Sequence, residues 1–160
     1  MDDLTDRREH LRLASSRPLS LISGGHAPDR DGSHPSDGTP RPAFTSIAVR
    51  VAGDRVEATA ILALHGHILT GGAIGDAADR SSIVATATLD ALAPLLEFDA
   101  SVDSALIVDA TGHDVALVIL RTGDDDTGSD LLVGSALVRG DIEDALARSV
   151  LSALNRRLGH

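Results

Sequence analysis

The chain is predicted to be an α+β domain of two βββα units related by a pseudo-twofold axis, each an antiparallel sheet covered by a helix. Three observations predict it. Two stretches look like copies of each other. Val56-Glu57-Ala58-Thr59-Ala60-Ile61-Leu62-Ala63-Leu64 and Leu69-Thr70-Gly71-Gly72-Ala73-Ile74-Gly75-Asp76 match Asp114-Val115-Ala116-Leu117-Val118-Ile119-Leu120, Leu132-Val133-Gly134-Ser135-Ala136 and Gly140-Asp141. Each copy runs into a helix, ending Leu89-Asp90-Ala91-Leu92 and Leu151-Ser152-Ala153-Leu154. An internal repeat of this kind indicates one folded unit made of two equivalent halves. Apolar residues alternate with period two at Ile47, Val49 and Val51 and recur at three and four within the helix that follows the first copy. Glycine-bearing turns separate the apolar runs.

The folded part begins at residue 43. Ile47, Val49 and Val51 alternate with polar or small neighbours, which predicts a strand. Gly53-Asp54 is a hairpin signal, and a second strand follows over residues 56–64. His65-Gly66-His67 turns the chain into a third strand, residues 68–74. A helix is expected over residues 81–96, with Ile83, Val84, Ala87, Ala91, Leu92 and Leu95 on one apolar face. Pro94 should end or kink it.

The second half repeats the order, with strands at residues 102–109, 114–121 and 131–139. Thr111-Gly112-His113 and residues 123–128 are the turns between them. The last helix is expected over residues 142–158. Asp141 is its N-cap, with Glu143 and Asp144 in the first turn and Arg156 and Arg157 in the last, where each sign favours the helix dipole. Its buried stripe is Ile142, Ala145, Leu146, Val150, Leu151, Ala153, Leu154 and Leu158. Each sheet is expected to have one apolar face, the one its helix covers.

Residues 1–42 read as a disordered N-terminal arm. Residues 4–14 have the pattern of a short amphipathic helix, which alone is marginal in water. Leu19, Leu21 and Ile22 add a small apolar patch. Residues 23–42 are dominated by Gly, Pro, Ser and Asp, with almost nothing to bury. Residues 43–160 form the single domain.

Composition narrows the function. A chain of 160 residues suggests one domain plus a tail. Hydrophobic residues make up 42%, but Phe44 and Phe98 are the only aromatics, so Ala, Val, Leu and Ile must build the core. The absence of Cys excludes disulfides and thiolate chemistry. The absence of Lys excludes Schiff-base chemistry and a P-loop lysine. Most of the net charge of −10 lies after residue 42, a surface that would repel nucleic acid and that lacks aromatics for stacking on bases. No apolar run nears the ~18 residues of a membrane span, and Met1-Asp2-Asp3 does not open a signal peptide. A soluble cytoplasmic protein is expected, and richness in Ala, Arg, Asp and Gly without Lys suits a GC-rich bacterial genome.

At the second helix the run Gly140-Asp141-Ile142, then Ala145-Leu146-Ala147, then Leu151-Ser152-Ala153-Leu154-Asn155-Arg156 carries a family resemblance. So do Ala58-Thr59-Ala60 and Thr70-Gly71. Over about residues 44–158 the chain resembles the C-terminal regulatory (allosteric, dimerisation) domain of 2-isopropylmalate synthase, shared with citramalate synthases. The resemblance implies two βββα units, a homodimer, and an end-product amino acid, leucine or isoleucine, bound between the two chains near the helix starts. Carried over by position, the implied ligand-binding residues are Gly75 and Asp76 before the first helix, with counterparts Gly140, Asp141, Ile142 and Ala145 at the second. Helix starts offer unpaired N–H groups and partial positive charge, which suit a carboxylate. The loop over residues 75–82 is longer than that family's Gly-rich turn and lacks Pro. The family's catalytic barrel of about 250 residues has no room in this sequence, so a standalone module is expected.

Other chemistry is weak. His65-Gly66-His67 could offer two zinc ligands, but zinc needs a third and a defined geometry; an exposed turn is the favoured reading. Asp124-Asp125-Asp126 lacks the spaced acids, Gly and distal Glu of a calcium loop. Asp76 and Asp79 could pair as acid and base, though capping is the commoner role. No nucleophile elbow, P-loop or dinucleotide fingerprint occurs. No enzyme activity, metal or cofactor is expected. The leading expectation is a homodimer that binds a small ligand, such as a branched-chain amino acid, or modulates a partner enzyme. The alternative is a scaffold without a pocket that uses residues 1–42 to recruit a partner; a small enzyme using carboxylates at the dimer cleft is a weaker third.

Overall fold

Residues 41–123, 129–155 and 157–158 are described by a computed structural model of the chain. Residues 1–40 of the expected arm, residues 124–128 of the expected turn, and residues 156, 159 and 160 lie outside the described residues. The first half runs β1 (Ala43–Ala52), β2 (Arg55–Leu64), β3 (His67–Asp76) and α1 (Arg80–Leu92). The second runs β4 (Ala100–Ala110), β5 (His113–Thr122), β6 (Asp130–Leu137) and α2 (Ile142–Leu154). Each half makes an antiparallel three-stranded sheet, β1-β2-β3 and β4-β5-β6.

The two sheets share their register in detail. In the first, Ala52 faces Arg55 across a two-residue turn; in the second, Ala110 faces His113. A bulge falls between Phe44 and Ser46 in β1 and, at the equivalent place in β4, between Val102 and Ser104. Ala60 faces Gly71, and Val118 faces Gly134. The turns follow from residue chemistry. His65 (φ 53°) with Gly66 (φ 79°), and Thr111 (φ 55°) with Gly112 (φ 83°), both have the paired positive φ of the tight turn that matches strand twist. His65 and His67 therefore belong to a hairpin tip.

The inward rows are small and dry. Val56, Ala58, Ala60 and Leu62 of β2 and Ala116, Val118 and Leu120 of β5 are at most 1% exposed. All of these except Val56 join Val84, Leu92, Leu146, Val150 and Leu154 in one cluster that draws on both halves. Each fully buried Leu or Val of this set stabilises the fold by about 1.5–3 kcal/mol. Helix α1 rests on β2 and β3 and also meets β4; α2 rests on β5 and β6 and also meets β1; the helices touch each other. The helix pair thus lies in the middle with the two sheets around it. This explains α1, whose buried residues Val84, Ala85, Ala87, Thr88, Leu89, Ala91 and Leu92 sweep roughly 200° of its surface. A helix buried on two sides needs an arc wider than the ~100° stripe of a surface helix. Thr88 and Ser149 are fully buried there, and each donates its hydroxyl to the carbonyl one turn back, Val84 O at 2.9 Å and Ala145 O at 2.7 Å.

Several details differ from the sequence reading. Helix α1 stops at Leu92, and Pro94 sits in a single 3-10 turn, Ala93–Leu95, rather than in helix. Helix α2 ends at Leu154, so Arg157 is not in its last turn. It reaches instead to Asp130, 2.9 Å away, and over the Phe98 ring at 5.7 Å. Ile142, expected in the buried stripe, is the first residue of α2 and is 43% exposed. Both sheets have aliphatic side chains on both faces, not on one: Ile68 and Ile74 of the first and Leu131, Val133 and Leu137 of the second point outward.

The free edge of β3 is covered at one point. The Gly72 N–H donates to Asp90 Oδ2 of α1 at 2.9 Å. An unpaired strand edge invites association with another chain, and a side-chain acceptor blunts it. Asp90→Ala is expected to lower stability by about 1–2 kcal/mol and to speed amide exchange at Gly72 selectively. Equal acceleration throughout β3 would contradict a local role.

No helix among the described residues is long and apolar enough to cross a membrane.

Candidate functional site

The positions implied by the resemblance fall at the starts of the two helices, but not in equivalent places. Gly75 opposes Val56 within β3 and lies beneath Ile83; a Cβ there would strike the Ile83 side chain. Asp76 ends β3, and its Oδ1 accepts the Ala78 N–H at 2.8 Å, opening a 3-10 turn over Ala77–Asp79. Asp76 thus takes the capping role. Helix α1 begins only at Arg80, with Asp79 as its N-cap. The structural counterpart of Asp141 is therefore Asp79 and not Asp76: the extra 3-10 turn pushes the first helix start along the chain. Gly75 likewise has Val138, not Gly140, at its equivalent place.

At the second helix, Gly140 has φ 143°, and a Cβ would meet nothing within 4 Å. It is glycine for its backbone conformation, which side chains rarely adopt. Asp141 occupies the N-cap position with extended φ/ψ (−76°, 135°), but its carboxylate makes no capping hydrogen bond. The first N–H groups of a helix lack intrahelical acceptors, so this start keeps its polarity unspent by Asp141. Ile142 is half in solvent, while Ala145 is fully buried and presents no surface in a single chain.

One contact joins the two helix starts. The Arg80 guanidinium pairs with Glu143 at 2.6 Å, with side chains 48% and 20% exposed. At that exposure the pair contributes at most about 1 kcal/mol, so its consequence is positional. It defines a groove of about 190 Å³ lined by Ile47, Val49, Arg80, Asp141, Glu143 and Asp144. Of the six residues carried over by resemblance, only Asp141 lines it. Arg80 was missed by the sequence reading because its partner is 63 positions away; no local pattern marks it.

A larger groove of about 750 Å³ lies at the other end of α1, among them Asp90, Glu97, Phe98 and Asp99. It holds none of the implied site residues, and its Asp90 carboxylate is already bonded to Gly72. The helix-start groove is smaller but has what a zwitterion requires: backbone donors, a guanidinium, carboxylates and an aliphatic wall from Ile47 and Val49. Among the described residues, no group of three or more His, Asp or Glu side chains is arranged to hold a metal ion.

Compared with known proteins, the chain matches no family model, and no curated protein matches it.

Proposed function

We propose that the chain is a dimeric module of the regulatory-domain type, binding a small ligand such as a branched-chain amino acid or modulating a partner enzyme. The observation that carries this reading is the meeting of the two helix starts through Arg80 and Glu143, beside an Asp141 whose side chain leaves the first turn of α2 uncapped. There the α-carboxylate of an amino acid would take the free N–H groups and Arg80, its ammonium the carboxylates of Asp141 and Asp144, and its side chain Ile47 and Val49. Small-molecule sites usually enclose about 300–1,000 Å³, more than the 190 Å³ here. A second chain laid across the groove would complete it, in keeping with a ligand held between two copies.

The test is a thermal-shift series with leucine, isoleucine and their 2-oxo acids. Ligand at about 100 times its Kd is expected to stabilise the protein by ~2.7 kcal/mol. Asp141→Ala should abolish that shift while lowering intrinsic stability by no more than about 0.5 kcal/mol, since only its dipole interaction is lost. No shift with any of these ligands would leave the scaffold reading, in which residues 1–42 recruit a partner and the fold serves only as a base.

A further inference from the structure

We infer that the groove at the C-terminal end of α1 binds an aliphatic polyamine. Its ammonium groups meet Asp90, Glu97 and Asp99, and its methylene chain lies along Leu89, Phe98 and Val102. The site is separate from the helix-start groove, and the inference holds whether or not that groove takes an amino acid.

Size and rigidity suit a small ligand. The groove encloses about 750 Å³, within the ~300–1,000 Å³ usual for small-molecule sites. Its walls are fixed by the fold. Leu89 is buried on α1, and Val102 belongs to β4. The segment between these elements is tied down at both ends. The Leu96 N–H donates to Ala93 O at 3.2 Å, and the Gly123 N–H to Asp99 O at 3.1 Å.

Charge selects the sign of the ligand. The three carboxylates line the groove, and among the described residues no Arg or His does. None of the three has an ion-pair partner among the described residues. Asp90 lends Oδ2 to the Gly72 N–H and keeps Oδ1. Arg157 stands over the Phe98 ring, but its guanidinium is held by Asp130 at 2.9 Å. The acids also sit where a helix disfavours them. The last turn of a helix carries partial negative charge and prefers cations, yet α1 has Asp90 there and no basic residue. The other half shows that the fold asks for no acid at this place: α2 has Ser152 where α1 has Asp90, followed by Arg156 and Arg157. Acids kept at an electrostatic cost in one half only point to a ligand that supplies the missing positive charge.

The spread of the charge selects a polyamine over a metal ion. A compact divalent cation needs several oxygens converging within about 2.6 Å. Among the described residues, no group of three or more His, Asp or Glu side chains is arranged that way. Carboxylates spread along a groove are matched by ammonium groups spread along a chain, and a monoamine would use only one of them. The apolar wall serves the rest of such a ligand. Leu89 and Val102 take methylenes out of water, and the Phe98 ring offers a face that attracts an ammonium.

The test titrates the full chain with spermidine by isothermal calorimetry at constant ionic strength. Saturable binding with a Kd on the order of 0.1 mM is expected. Glu97→Gln with Asp99→Asn should weaken it at least about tenfold, the loss of two exposed charge pairs. Both side chains are exposed, so the variant should keep its far-ultraviolet circular dichroism and its cooperative melt. Asp90 is left in place because it also holds the edge of β3. The control, Glu57→Gln with Asp114→Asn, removes the same charge outside the groove and should leave the affinity within about twofold. On adding spermidine, amide resonances should shift chiefly at residues 86–90 and 96–102. A control that loses as much affinity as the groove variant overturns the inference, since the net charge of −10 would then draw any cation. Displacement of spermidine by Mg²⁺ at an equal concentration of charge overturns it too, as do shifts gathered at the acidic run of residues 124–126. No saturable binding at about 100 times the expected Kd has the same consequence.

Discussion

Gly134→Ala is expected to lower stability by about 3 kcal/mol or more, enough to drop the melting midpoint by over ~10 °C in a domain of this size. The methyl group would sit on Ser149 O, Ala153 N and the Ala153 side chain, well inside contact distance. Two of these are helix backbone, which has no rotamer to change. Relief would require α2 to lift off β6 and open the contact with Val118 and Leu120 beneath. Gly71→Ala should do the same in the first half, where the obstacles are Ala87 O and the backbone of Ala91. The neighbouring Gly72→Ala is the control. Its Cβ would meet only Ala58 O at 3.8 Å, on the outward side. That substitution should be neutral or stabilise slightly, since Ala loses less chain entropy on folding than Gly. Chemical denaturation of the three variants checks the expectation. If Gly72→Ala proves as damaging as Gly134→Ala, helix–strand proximity is not the reason for these glycines.

Leu120→Ala is expected to cost about 3–5 kcal/mol, the upper part of the range for such truncations. Leu120 is fully buried on the central strand of the second sheet. Its surroundings decide the magnitude. The core is made of Ala, Val and Leu, among them Ala116, Ala145 and Ala153, and no long flexible side chain is at hand to fill the space. The helix cannot settle inward, because the Gly134 contact already holds it at closest approach. A cavity that cannot collapse carries the full loss of dispersion contacts as well as of burial. Leu62→Ala, the equivalent change in the first half, should behave alike, and the double variant should fail to fold. A loss below about 1 kcal/mol for Leu120→Ala would mean that this core is looser than its burial indicates.

The repeat was legible because it is written in local terms. Alternation at Ile47, Val49 and Val51 and the short apolar runs over residues 56–64 and 114–121, with Gly66 and Gly112 at turns needing positive φ, mark strands and hairpins without reference to anything distant. The equivalence of Gly71 with Gly134 is visible in the sequence because the same helix–strand approach was needed twice. The candidate site was legible only in part. Asp141 was placed correctly as an N-cap, but its pairing with Asp76 failed, because a three-residue 3-10 turn before α1 has no periodicity to reveal it. Arg80 drew no notice, since one Arg at the start of a helix looks like any solvated side chain until Glu143 is brought to it.

Strand and helix order, the turns, the small-residue core and the two-fold repetition came from the sequence alone, because each depends on contacts between residues close along the chain. Tertiary structure alone decided that α1 is buried over most of its surface, that the two helix starts meet, and that both sheets keep aliphatic side chains in water on their outward faces. Each of these joins or separates residues dozens of positions apart. Alternating Val and Leu on both sides of a strand reads the same whether one side faces a helix, a second molecule or solvent.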